Sequence, residues 1–209
     1  GWMSAEDAVK LEKETVEDPK IHVMEEDVED HMSVSPPTKL KNPALFKPFE
    51  MFVEMYGLPA YQEMDPTIFI ALTYTLMFGI MFGDVGQGLC LLIGGFVFYK
   101  IKHMNLGAIL SLAGIWSTVF GFMYGSVFGF EEILKPVWMR PMDNIMTTLM
   151  LAIGFGMFLI LVAMVLNIIN AVRAKDLGRI LFSPSGIAGM ICYGCVVLCI
   201  VLYVMGRPV

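Results

Sequence analysis

Charge is scarce over most of this sequence. Residues 66–209 carry only 5 acids and 8 bases, a net of +3, whereas residues 1–65 hold 15 of the 20 acids and 6 of the 14 bases, a net of −9. With 56% hydrophobic residues and a mean hydropathy of +0.68, the chain is too apolar for an ordinary soluble domain. The acidic head lacks the basic face that phosphate binding requires, which argues against a nucleic-acid partner. Cysteine is sparse: Cys90, Cys192, Cys195 and Cys199 all lie in apolar runs, so they form no disulfide framework. No basic stretch followed by an apolar one opens the chain at Gly1, so no signal peptide is expected. P-loop, GxSxG, HExxH and Rossmann glycine patterns are all missing. A non-catalytic chain without cofactor, metal or small-molecule substrate is therefore expected.

What is present is an acidic, water-soluble segment followed by a membrane body. Residues 1–43 read as a cytosolic portion and linker. Ser4 caps a helix with Glu6 and Asp7 in its first turn, KIHVM (20–24) alternates weakly like a strand, EEDVEDHMS is a solvated acidic run, and SPPTKLKNP (35–43) is a Pro-rich joint. Residues 44–65 read as an interfacial region. Phe49, Phe52, Val53, Met55 and Tyr56 oppose Glu50 and Glu54 at helical spacing, which suits a helix lying in the bilayer surface or one packed on the spans.

Residues 66–209 read as an all-α transmembrane domain of about five spans: 66–83, 86–101, 106–128, 144–171 and 185–205. Asp65 is placed as the N-cap of the first span and Pro66 at its first position. Crossing a bilayer takes roughly 20 helical residues, so the first two spans are short and read as a hairpin. Bases concentrate after spans two and four: Lys100, Lys102 and His103, then Arg173, Lys175 and Arg179 in the RAKDLGR loop. The positive-inside rule then places both loops and the N-terminus in the cytoplasm of a multi-pass protein of the cell membrane.

Span three carries Gly107, Ser111, Gly114, Thr118, Gly121 and Gly125 at alternating steps of four and three. Small residues let helix backbones approach in lipid, so this seam is where another helix should lie. Cys192, Cys195 and Cys199 share a face of span five, and Met77, Met81, Met139, Met142, Met146 and Met150 form rows. Soft-metal handling by these residues would make the chain a small autonomous transporter or metal exporter; gap-filling packing is the simpler reading. Asn167 and Asn170, near the inner end of span four, suit either a neighbouring helix or the headgroups.

MFGDVGQG (81–88) sets Asp84 in an apolar region, flanked by Gly83, Gly86, Gln87 and Gly88. An embedded carboxylate costs about 2.5–3.5 kcal/mol on insertion scales and needs protein or water around it. A turn with Asp84 capping span two is the first reading. Proton or ion handling and simple interfacial exposure are the others.

PPTKLKN (36–42), FEMFVEMYGLPAYQEMDPT (49–67), MFGDVGQG and GFMYGSVFG (121–129) together resemble the large membrane subunit of rotary V-type and A-type ATPases. This is subunit a, or subunit I, of the 116 kDa family. GWMSAEDAVKLEKE (1–14) is similar to the closing part of its cytosolic arm. The resemblance implies a stator beside a proteolipid ring, tied to a peripheral stalk and embedded in the lipid bilayer, supporting proton or sodium movement coupled to ATP hydrolysis or synthesis elsewhere. The family's essential arginine lies in a later helix. Arg173 and Arg179 sit in a loop and Arg207 at the chain end, so none corresponds to it, and the chain looks like a fragment. Gln87 stands where the family often has His. It keeps hydrogen-bonding capacity but cannot titrate.

Overall fold

The structure is a computed structural model describing residues 2–15, 37–61, 63–130 and 132–204. The expected strand at 20–24 and the acidic run after it lie outside the described residues. Among the described residues eight α-helices follow in order: α1 (Ala5–Thr15), α2 (Glu50–Tyr56), α3 (Thr67–Met81), α4 (Val85–Lys102), α5 (Asn105–Tyr124), α6 (Ile145–Arg173), α7 (Leu177–Phe182) and α8 (Ile187–Val204). Among the described residues there is no strand, only an isolated bridge between Val127 and Phe130. The protein is an all-α membrane protein. Among the described residues four stretches are long and apolar enough to cross a bilayer: α4, α5, α6 and Leu177–Tyr203. The first expected crossing, α3, is apolar but only 15 residues long.

α1 starts as its sequence dictates, with the Asp7 N–H donating to Ser4 Oγ at 3.3 Å. α3 is entered one residue later than expected. The Ile70 N–H donates to the Pro66 carbonyl, which makes Pro66 the cap position. Asp65 still serves the first turn, accepting from the Thr67 N–H at 2.9 Å. The third span is shorter than the expected 106–128. The helix stops at Tyr124 because Gly125 adopts φ +75°, a left-handed C-cap that glycine takes without steric cost. The RAKDLGR stretch is not all loop: Asp176 caps α7 through the Arg179 N–H, and Arg179 lies within that short helix.

Contacts give the helix directions. Gly107, Gly114 and Gly121 of α5 abut Tyr99, Leu92 and Val85 of α4, so this pair runs antiparallel. On its other side α5 meets Ala71 through Ile109, Gly79 through Trp116 and Gly83 through Tyr124, so α3 and α5 run parallel. α5 thus lies against both α3 and α4, which pack on it rather than on each other. Phe49 and Val53 are buried, with Phe49 packed against Ala71 and Ile109. Met55 and Tyr56, expected on the same face, are exposed.

The α6–α8 group joins the rest at the end where α3 begins. The Met64 N–H donates to Asn170 Oδ1 at 3.0 Å, and Arg179 pairs with Glu63 at 3.1 Å. Asn167 donates to the Ser185 carbonyl at 3.1 Å. The asparagines therefore bond to protein. Lys100 and Lys102 at the end of α4, Arg173 at the end of α6, and His103, Lys175 and Arg179 just beyond lie at this same end.

Candidate functional site

The α3–α4 connection is only Phe82, Gly83 and Asp84. In hydrocarbon, every backbone group freed by such a break needs a partner within the protein. The end of α5 supplies them. Tyr124 donates its hydroxyl to the Ile80 carbonyl at 3.1 Å. Ser117, fully buried, donates to the Phe82 carbonyl. Gly83 has no side chain because the ring of Tyr124 occupies that space.

Asp84 is 7% exposed and its carboxylate accepts four hydrogen bonds. Oδ1 takes the Gln87 N–H at 2.9 Å, the N-cap bond of α4, and the Phe128 N–H at 2.9 Å. Oδ2 takes the Ser126 hydroxyl at 2.9 Å and the Gly129 N–H at 2.7 Å. The Val85 N–H adds a bond to the Ser126 carbonyl at 3.0 Å. One side chain thus caps a helix and clamps the tight 126–130 turn onto it. The turn needs clamping, because Phe128 has φ +51°, a conformation costly for a bulky residue. Its ring lies where a Cβ on Gly86 would be, so Gly86 is the seat for Phe128. Gln87 enters this arrangement through its backbone.

The α5 seam is met by a matching one on α4. A Cβ on Gly88 would sit 2.6 Å from Thr118 N, and one on Gly95 2.6 Å from Ser111 N. From the other side, a Cβ on Gly107 would sit 2.6 Å from Tyr99 N and one on Gly114 2.5 Å from Leu92 N, while Gly121 lies against Val85. Ser111 donates to the Leu92 carbonyl at 3.1 Å. Thr118 turns its hydroxyl to its own helix, at the Gly114 carbonyl. Gly125 is not part of the helix seam: it faces Leu134 and Pro136 in the loop that folds back over α5.

Sequence reasoning missed Gly95, although Gly88 and Gly95 repeat at the seven-residue interval of Gly107, Gly114 and Gly121. It also gave no role to Ser117, Ser126, Phe128 or Gly129. The signal available was the GFMYGSVFG run, whose last residues hold Asp84. Cys192, Cys195 and Cys199 are exposed on α8, and among the described residues no three His, Cys, Asp or Glu side chains converge. At the opposite end of α3, burial opposes the charged form of Asp65. Bonds from the Thr67 hydroxyl, the Thr67 N–H and Asn42 outweigh it and hold its pKa below the usual carboxylate value.

Residues 1–131 match the family model described as the V-type ATPase 116kDa subunit family. The chain is 40% identical over 101 residues to the A-type ATP synthase subunit I of Archaeoglobus fulgidus, covering 45% of this chain and 14% of that protein. It is 31% identical over 171 residues to the A-type ATP synthase subunit I of Methanothermobacter thermautotrophicus, covering 75% and 26%. With the V-type ATP synthase subunit I 2 of Treponema pallidum it shares 33% identity over 154 residues, covering 61% and 34%. The matched region is thus between 14% and 34% of the length of these relatives. Two of the runs that build the Asp84 joint, MFGDVGQG and the GFMYGSVFG turn, lie inside the matched region. This chain belongs to the V-type ATPase 116 kDa subunit family.

Proposed function

We propose that this chain is a bracing portion of the membrane stator in a V/A-type rotary ATPase. It supports proton or sodium translocation coupled to ATP hydrolysis or synthesis, and does no catalysis itself. Residues 1–43 would close the cytosolic arm toward the peripheral stalk, 44–65 would seat that arm at the interface, and 66–209 would hold the ion-conducting helices against the proteolipid ring. The basic residues at the end where α3 begins support a cytoplasmic N-terminus.

The observation that carries this reading is the state of Asp84. Both carboxylate oxygens are engaged by four protein donors, which leaves no vacant coordination for a passing ion. An ion path needs polar groups that exchange partners, whereas a joint needs groups that keep them. Its partners hold α3, α4 and the end of α5 as a unit. The experiment is reconstitution of the 209-residue segment in liposomes. No proton or sodium current above protein-free vesicles is expected, and a current that scales with protein would contradict the bracing role.

A further inference from the structure

Residues 37–43 form neither helix nor strand, yet two of their side chains are pinned to the membrane body. The Thr38 hydroxyl donates to the Pro59 carbonyl at 2.7 Å. The Asn42 side-chain NH₂ donates to Glu50 Oε1 at 3.0 Å and to Asp65 Oδ2 at 2.6 Å. The Asn42 N–H adds a bond to Glu50 Oε1 at 3.1 Å. We propose that Asn42 is a positioning residue that straps the cytosolic arm to the junction of the two helix groups and so holds the membrane body in place against an opposing ion gradient. This role rests on the reading of the chain as part of a stator.

The chemistry at position 42 is specific. Two carboxylates converge there, and one primary amide gives a hydrogen to each. Aspartate, of almost the same size, would turn acceptors toward two acceptors, and an apolar residue would supply no donor at all. Asp65 is shared. Its Oδ1 accepts from the Thr67 N–H and the Thr67 hydroxyl, and Thr67 is fully buried. Its other oxygen takes Asn42. The carboxylate that starts α3 is therefore also the anchor of the strap.

The pins replace a long detour. The covalent route from Asn42 to Asp65 is 23 residues and that from Thr38 to Pro59 is 21; both run through α2. Each bond closes its detour directly. A single pin would leave the strap free to pivot. Two pins four residues apart, at most about 14 Å from each other, set its direction.

The anchor also reaches both helix groups through three consecutive residues. Glu63 pairs with Arg179 of α7, Met64 donates its N–H to Asn170 of α6, and Asp65 serves both α3 and the strap. Force entering at Asn42 thus arrives where α3 and the α6–α8 group are tied together. A slack strap matters only under force. With no gradient little pushes the membrane body relative to the arm, whereas an established gradient pushes back on it.

The test uses the complete complex in proteoliposomes. The initial rate of ATP-driven gradient formation is the unloaded measure and the final gradient the loaded one, both per assembled complex. Asn42→Ala should keep the initial rate within twofold of native and lower the final gradient at least threefold. Asn42→Asp should lower it further, although its side chain fills the same space. Lys41→Ala, at the exposed neighbouring position, should match the native complex in both. Thr38→Val removes the other pin and should act in the same direction as Asn42→Ala, so the comparison stands if either variant fails to assemble. Passive decay of an imposed gradient without ATP should stay native. A native final gradient in the variants, a proportional fall in both measures, native behaviour of Asn42→Asp, or faster passive decay would overturn the strap. The bracing role itself is judged by the liposome current of the 209-residue segment, which none of these results alters.

Discussion

Replacing Gly114 by alanine tests the close packing of α4 on α5 with one methyl group. The new Cβ would sit 2.5 Å from Leu92 N, 2.7 Å from the Gly88 carbonyl oxygen and 3.0 Å from Leu92 Cα. Ordinary contact starts near 3.4 Å, and all three atoms are backbone of a continuous helix, so no side chain can swing away. Relief requires the helices to part by roughly 1 Å, a gap that forfeits a quarter to a half of each dispersion contact along the seam. The Ser111–Leu92 hydrogen bond, now 3.1 Å, would stretch out of range, at a further cost of about 1 kcal/mol. Overpacking of this kind costs about 1–3 kcal/mol, and alanine returns up to about 1 kcal/mol in helix propensity. The net expectation is a loss of about 1–3 kcal/mol. Gly94→Ala is the control, since Gly94 lies in α4 with nothing within 4 Å of an added Cβ, and should be neutral or slightly stabilising. Denaturation of the complete subunit in mild detergent measures both. Equal midpoints for the two variants would refute the argument from backbone proximity.

Other outcomes follow from the remaining joints. The Glu63–Arg179 pair is partly exposed, so a double-mutant cycle with Glu63→Gln and Arg179→Gln should yield a coupling of only about 0.2–1 kcal/mol that shrinks with salt. Asn170→Leu removes the acceptor of the Met64 N–H and should cost about 1–3 kcal/mol in the same denaturation assay. Asp65 has a lowered folded pKa, so its contribution is complete above the usual carboxylate value and is lost as pH falls through the lower folded value. A stability profile taken from pH 6 downward should therefore decline more steeply in the native protein than in Asp65→Asn.

The parts of this fold that were legible in the sequence rest on local rules. Asp65-Pro66 marks the entry to α3 because capping and proline chemistry act within one turn. The α5 seam was readable because small residues recur at helical spacing in an otherwise bulky helix. What failed depended on tertiary pairing. Residues 125–128 are as apolar as the helix before them, so only the left-handed Gly125 and the clamp from Asp84 reveal the stop. The four donors to Asp84 come from positions three and 42–45 residues away, and no periodicity links them. Gly95 owes its role to α5, where Ser111 lies against it.

The central claim is that Asp84 is a joint and carries no ion. Asp84→Asn in the complete complex tests it most directly. Asparagine keeps one acceptor oxygen for the Gln87 and Phe128 N–H groups but presents an NH₂ to the Gly129 N–H. A buried donor left facing a donor costs about 1–3 kcal/mol, so the yield of assembled complex should fall. Ion transport per assembled complex, measured in proteoliposomes as ATP-driven gradient formation, should stay within twofold of the native rate. Normal assembly with transport abolished would contradict the account.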